Sequence, residues 1–190
     1  MSPNPHTPTG ILREQHRNIL KVADILEAVL GREPSPGVLD YPAIEDCARF
    51  IRLYADALHH GKEENILFVE LEDRGMPRVE GPLAVMLQEH EQGRALVRSL
   101  LDALPAAREG DEAARKNVVN AGLGYVGLIR AHIQKEDRVL FNWADQMIEP
   151  MACQKLCASY DAVCLRTFDG CTVSQLEDIL ASLRSRYPDA

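Results

Sequence analysis

The sequence predicts an all-α protein: an antiparallel four-helix up-and-down bundle with two additional C-terminal helices. Apolar residues recur at helical spacing along the chain, and the alternating Val/Ile/Thr runs typical of strands are absent. Glycine and proline cluster between these amphipathic stretches, which leaves only short connections. At 190 residues the chain has the length of one domain with an ample core. We assign residues 1–149 to the bundle and 150–190 to a helical extension packed on it.

Capping residues and helix breakers set the predicted boundaries of each helix. Asp40 and Asp111 are typical N-cap residues, and Thr172 with Gln175 has the form of a capping box. Glycine or proline follows each helical stretch, and Pro34, Pro36 and Gly37 predict the first loop. The predicted helices run from about Thr9 to Leu30, from Asp40 to a stop at Gly75 and Pro77, from Gly81 to a stop at Pro105 and Gly110, from Asp111 to the region before Pro150, from Ala152 to Phe168, and from Thr172 to Arg186.

Composition excludes several classes of partner. The net charge of −8 argues against a nucleic-acid partner, because no basic cluster offsets it. No apolar run approaches the length of a membrane span, and the N-terminus lacks the basic and apolar stretches of a secretory signal. Five cysteines, an odd number, suit a reducing compartment better than a disulfide framework. We therefore expect a cytoplasmic protein with no nucleic-acid or membrane partner.

One ten-residue motif occurs twice, at residues 59–68 and 132–141. Both copies fit the pattern His-x-x-Lys-Glu-[Glu/Asp]-x-x-Leu-Phe. Residues four apart share a helix face, so each copy presents a histidine and a glutamate side by side. A frame shifted by one residue would pair a histidine with an acid in the first copy only, which favours the unshifted frame.

The unshifted frame indicates a metal pair. It places a histidine on each predicted bundle helix and two glutamates on apolar faces, where carboxylates are costly without a cation. Imidazole with carboxylate indicates iron, since a structural zinc site would more often use closely spaced thiolates. The predicted ligands are His16, His59, Glu63, His90, His132 and Glu136.

Several residues near this set have two interpretations. His60 lies one position off the main face, so it is either a fifth histidine ligand or a residue that hydrogen-bonds to a ligand. Glu64 and Asp137 either face outward or accept a hydrogen bond from the second nitrogen of a ligating imidazole. The C-terminal cysteines either pack as small apolar residues or have a redox or metal role; they are Cys153, Cys157, Cys164 and Cys171.

The chain resembles the hemerythrin family in its single-domain HHE cation-binding form, over about residues 9–145. The resemblance rests on both motif copies and on the stretches at 12–16 and 88–94. It implies a four-helix bundle that holds two iron ions with an oxo or hydroxo bridge, with Glu63 and Glu136 also bridging. Oxygen-carrying hemerythrins have a second histidine where this chain has Arg94, and their second carboxylate lies five residues after its histidine rather than four. These departures favour redox, nitric oxide or iron chemistry over simple oxygen carriage.

The resemblance implies a non-haem di-iron protein whose partner is dioxygen, peroxide or nitric oxide. Its role would be sensing, storage or detoxification of that molecule, or iron handling. One alternative is a ferritin-like di-iron oxidase, ferroxidase or peroxide-decomposing enzyme, although such bundles use Glu-x-x-His pairs and more carboxylates than histidines. The other is an iron- or oxygen-responsive regulatory module in which the C-terminal helices respond to the metal site.

Overall fold

The computed structural model describes residues 6–31 and 39–190, which form six helices and no strand beyond a single bridge. This confirms the all-α prediction. The predicted loop at Pro34, Pro36 and Gly37 lies outside the described residues. The helices are α1 (Pro8–Gly31), α2 (Tyr41–Phe50, continuing as Ile51–His60, Glu63–Leu67 and Phe68–Asp73), α3 (Gly81–Arg108), α4 (Glu112–Lys135, continuing as Glu136–Leu140 and Phe141–Met147), α5 (Pro150–Cys164) and α6 (Val173–Arg186).

All three predicted N-caps are present. Asp40 accepts a hydrogen bond from the backbone N–H of Ala43 and Asp111 from that of Ala114, each at 3.0 Å. The capping box between Thr172 and Gln175 opens α6. These side chains satisfy backbone donors that the first helical turn leaves free.

Helix α3 ends at Arg108, between Pro105 and Gly110, the two residues predicted to close it. One predicted helix end is wrong, because helix α5 ends at Cys164 instead of Phe168. Phe168 instead exchanges backbone hydrogen bonds with Cys171 across a tight turn, at 2.8 and 3.0 Å.

Helices α2 and α4 contain π-helical segments that the sequence did not predict. Such a segment starts at Glu63 in α2 and another at Glu136 in α4, the same position of the two motif copies. A third π-helical segment, Ile51–His60, leads into the first copy. π-helical turns inside α-helices often occur at functional sites.

The four long helices surround the histidine region. Helix α1 packs against α2 and α4, and α3 packs against α4 and α2. One apolar cluster fills the interior on one side of this region and a second fills the other side. In α1 and α3 the residues of the second cluster precede those of the first cluster in the sequence. In α2 and α4 the order is reversed.

The C-terminal helices contribute to both clusters. Leu156 and Tyr160 of α5 are buried in the second cluster, and the leucines of α6 join the first. Helix α5 also contacts the π-helical segment Glu63–Leu67. The division of the chain at residue 149 stays a prediction. Within the part of the chain that the structure describes, no helix combines the length and the hydropathy that crossing a bilayer requires.

Candidate metal centre

Five histidines and two glutamates converge in the middle of the four long helices. None of the seven exposes more than 5% of its surface. Their ligand atoms fall into two groups, within each of which all atoms lie within 4.8 Å of one another. The first group is His16, His59, Glu63 and Glu136, and the second is His60, Glu63, His90 and His132.

Glu63 belongs to both groups. Its Oε1 lies 3.4 Å from Nε2 of His59, and its Oε2 lies 3.5 Å from Nε2 of His90. The carboxylate therefore presents one oxygen to each set of histidines, as a bridging ligand would.

Glu136 has the same arrangement from the opposite helix. Its Oε2 lies 3.2 Å from Nε2 of His16, and its Oε1 lies 3.3 Å from Nε2 of His132. The two motif copies thus each supply one histidine and one carboxylate that spans the two groups.

His60 joins the second group. Its ring stacks on that of His90 with the centroids 3.8 Å apart, and its buried Nε2 has no hydrogen-bond partner among the described residues. Of the two interpretations of His60 from the sequence, this placement favours a position in the ligand set. His60 also supplies the third histidine of a group that would otherwise have two.

Each of the five imidazoles is held through Nδ1 by an oxygen acceptor. Because Nδ1 donates its proton outward, the lone pair of Nε2 faces the interior of the site. The pairs are His16 with Asp137 (2.9 Å), His59 with Gln15 (3.1 Å), His60 with Asp56 (3.3 Å), His90 with Glu64 (2.7 Å) and His132 with Glu89 (3.0 Å).

For two of these acceptors, Glu64 and Asp137, the sequence left open whether they face outward or accept a hydrogen bond from a ligating imidazole. Their contacts correspond to the second alternative. The other three were missed. Asp56 precedes His60 by four residues, a spacing at which two residues share a helix face. Gln15 and Glu89 hold histidines of other helices and lie outside the two motif copies, whose comparison had singled out Glu64 and Asp137.

Arg94 organises two of these acceptors. Its Nε donates to Asp56 at 2.8 Å and its terminal nitrogen donates to Glu64 at 2.7 Å. Burial would raise the pKa of Asp56, but hydrogen bonds from His60 and Arg94 lower it to about 2. The arginine that stands in place of the carriers' histidine thus fixes the acids that orient two imidazoles.

The buried polar atoms test whether these residues fit a metal. Within the described chain, both oxygens of Glu63 and Glu136 and the Nε2 of His16 have no hydrogen-bond partner. An unsatisfied buried polar atom costs about 1–3 kcal/mol, and more when it is charged. The Nε2 atoms of His90 and His132 lie 3.2 Å apart although each ring already donates through Nδ1. Lone pairs that point into the site and accept no hydrogen bond can coordinate cations, so these residues fit a metal pair.

The pKa shifts of the buried acids and histidines also indicate that the site lacks positive charge. Burial and the adjacent carboxylate of Glu136 raise the pKa of Glu63 well above its usual value. Burial opposes ionisation of Glu136 too, but His132 and His16 lower its pKa well below the usual value. Burial lowers the pKa of His132, yet Glu136 and Glu89 together raise it to about 9. Without a metal, protons therefore take the place of cations in this site.

A cavity of about 390 Å³ lies beside the second group. Its wall includes His60 and His90, with Arg52 and Arg98 among the exposed residues that line it. Tyr125 also lines the cavity, and its buried hydroxyl has no hydrogen-bond partner in the described part of the protein. The cavity places open space next to two of the candidate ligands.

Comparison with known proteins assigns the family. The hemerythrin HHE cation binding domain matches residues 7–144, so the chain belongs to this family of metal-binding domains. Relatives include uncharacterized proteins of Mycobacterium bovis and of two strains of Mycobacterium tuberculosis, each 27% identical over 134 residues. The match covers 70% of this chain and 51% of each relative, so the chain spans about half the length of these proteins. No solved structure matches the chain significantly.

Proposed function

We propose that the protein is a non-haem di-iron protein that binds dioxygen or a related small oxidant or diatomic, such as peroxide or nitric oxide. One observation carries the proposal: five buried histidines and two buried glutamates form two adjacent ligand groups, in which both carboxylates and the Nε2 atoms of His16 and His60 have no hydrogen-bond partner among the described residues. The ligands would be His16, His59, His60, Glu63, His90, His132 and Glu136. Glu63 and Glu136 would bridge the two ions.

The alternating order of the two apolar clusters along the four long helices supports the antiparallel up-and-down arrangement. In such a bundle each ligand comes from the middle of its helix, away from both ends. This position places the ligands between the two apolar clusters, and the cavity beside His60 and His90 lies at one side of the site.

Iron fits the donor set better than the other common metals. Imidazole nitrogen and carboxylate oxygen together suit iron, and no cysteine belongs to either group. When bound, two iron ions would supply the electrons and the binding position for a small diatomic or peroxide. The excess of histidine over carboxylate supports this role over the ferritin-like oxidase alternative, whose sites are richer in carboxylate.

The two groups offer different numbers of ligands. The first supplies two histidines and the second three, while both glutamates face both groups. An ion in the first group would therefore have more room for a molecule from outside the protein. Apolar residues that would exclude water are all buried around the site: Ile19, Leu58, Met86 and Ile129.

A regulatory role is a second candidate because α5 packs directly on the segment that starts with Glu63. A change at the metal pair would therefore reach α5 through a direct contact. Helix α5 belongs to the extension, which lies beyond the residues that the family model matches. We expect either role to be carried out in the reducing cytoplasm, in keeping with the five free thiols. Dioxygen, peroxide or nitric oxide would be the partner, and we expect neither nucleic acid nor a membrane.

The test is the absorption spectrum of iron-loaded protein. Anaerobic protein that holds two ferrous ions should be almost colourless and should develop near-ultraviolet and visible charge-transfer bands when oxygen is admitted. The matched control is Glu136→Gln, which keeps the shape of the side chain but removes the charge. Bound iron with an unchanged spectrum under oxygen, peroxide and nitric oxide would contradict the proposal.

A further inference from the structure

Lys62, in the first motif copy, is completely buried. Its Nζ lies 3.3 Å from Sγ of Cys164 and 5.4 Å from the centre of the Tyr160 ring. Among the described residues, no carboxylate lies within 4.0 Å of this nitrogen. Lysine is almost never fully buried unless it is paired with an acid, so this amine has an unusual partner.

The partner thiol belongs to a part of the chain that the family match does not reach. Cys164 is the last residue of α5, twenty residues beyond the matched region 7–144 (164 − 144 = 20). It is half-buried, so a molecule as small as peroxide can approach it from solvent while the lysine stays covered. The hydroxyl of Tyr160, on the same helix, is also buried without a partner among the described residues.

A thiol and an amine at this distance form a pair that an oxidant can join. Peroxide oxidises a thiol to a sulfenic acid, and a sulfenic acid can condense with a backbone nitrogen to give a sulfur–nitrogen bond. A side-chain amine next to the sulfur offers a nitrogen for the same type of bond. The buried amine of Lys62 lies 3.3 Å from the sulfur of Cys164, and its position is fixed by the helix that carries Glu63. A sulfenic acid formed at Cys164 would therefore have an amine within reach.

We propose that Lys62 and Cys164 form a peroxide-dependent covalent crosslink between α2 and α5. In the first step the Cys164 thiol attacks hydrogen peroxide, the O–O bond breaks, and sulfenic acid and one water result. In the second, the lysine nitrogen attacks the sulfenic sulfur, and the S–O bond breaks. The departing hydroxide takes a proton from nitrogen and leaves as a second water. The sulfur is oxidised by two electrons and peroxide is reduced by two.

The crosslink would tie the C-terminal extension to the residue next to Glu63, a candidate metal ligand. A thiol reductant would reverse it by attack on the sulfur. The inference does not rest on the proposed function, because the pair needs peroxide from solution and no metal.

The experiment is peptide mapping of the full chain by mass spectrometry, before and after exposure to hydrogen peroxide. The expected product is one linked pair of peptides that is lighter than the sum of its parts by two hydrogen atoms. Cleavage by trypsin after Lys62 should be lost, and treatment with dithiothreitol should restore both peptides.

Three variants decide the assignment. Cys164→Ser and Lys62→Met should each abolish the linked pair. Cys157→Ser, which removes another half-buried thiol of α5 that lies near a backbone carbonyl instead, should retain it. If Cys164 becomes sulfinic acid, joins a disulfide or stays unmodified while Lys62 remains unlinked, the proposal is overturned. Because the wild-type comparison alone decides this, the test does not depend on whether Lys62→Met folds.

Discussion

The two motif copies put the same residue types into two different environments. In both, the histidine and the first glutamate face the metal site, and the following acid holds a histidine of a neighbouring helix. Two contrasts stand out: the residue changes at the second position, and the lysine at the fourth position has different surroundings in the two copies. His60 in the first copy corresponds to the buried Ile133 in the second. Lys62 is buried against α5, whereas Lys135 is 42% exposed and pairs with Glu89.

A duplicated motif has thus become an asymmetric site. The shared positions supply two similar halves, each with one carboxylate between the two groups of histidines. The additional histidine then gives one half three imidazoles and leaves the other with two. The buried lysine connects the first copy, and only that copy, to the C-terminal extension.

The largest effect should come from the positions that the copies share. Glu63→Gln and Glu136→Gln each remove a bridging charge, so we expect the metal content per chain to fall from two ions to fewer than one. Glu112→Gln, which neutralises an exposed carboxylate at the start of α4, should keep both ions. Elemental analysis after gel filtration measures this. Retention of two ions by either bridging variant would show that the copies are not equivalent halves.

Removing the metal should affect both copies at once. At free metal 1,000-fold above the dissociation constant, binding stabilises by about 4 kcal/mol per site, so chelation should lower the melting temperature by about 10 °C or more. The raised pKa of Glu63 means that binding must displace a proton there. The stabilisation should therefore grow as pH rises from acidic to neutral. A melting temperature indifferent to chelator at neutral pH would contradict this expectation.

Replacing the additional histidine should make the two halves more alike. In His60→Ile the first copy takes the side chain found in the second, and we expect metal affinity to fall at least about tenfold. The two iron ions should also become more nearly equivalent, which Mössbauer spectra of ⁵⁷Fe-loaded protein would show as merging doublets. Ile133→Val is the control and should leave two distinct doublets. Spectra that do not distinguish the wild type from His60→Ile would remove His60 from the ligand set.

The two lysines should give the smallest effects, with opposite signs. Lys62→Met replaces a buried amine that has no acidic partner among the described residues, so the free energy of unfolding should be unchanged or higher by about 1 kcal/mol. Lys135→Met removes a partly exposed ion pair and should cost less than about 1 kcal/mol. Urea unfolding of the metal-free variants measures both. A loss of several kcal/mol in Lys62→Met would mean that Lys62 is stabilised by a charged partner.

Much of the fold and the candidate site followed from the sequence, because caps and helical spacing act locally. The N-caps at Asp40 and Asp111 required only residues a few positions away. The register of the motif likewise required only the comparison of its two copies. It selected Glu63, which belongs to both ligand groups, and Glu136, which belongs to the first group and lies 3.3 Å from His132 of the second.

What the sequence missed depends on contacts between helices or on local departures from the α-helix. The π-helical segments that start at Glu63 and Glu136 have no signature in apolar spacing. Gln15 and Glu89 hold histidines from other helices, and the burial of Lys62 depends on where α5 packs. None of these is set by neighbours in the sequence.

The most direct test of a metal pair bridged by the two motif copies is anomalous diffraction at the iron edge from crystals of iron-loaded protein. Two peaks are expected: one bounded by His16 and His59, the other by His60, His90 and His132, with Glu63 and Glu136 contacting both. A single peak, or iron bound elsewhere with these seven side chains unchanged, would contradict the account.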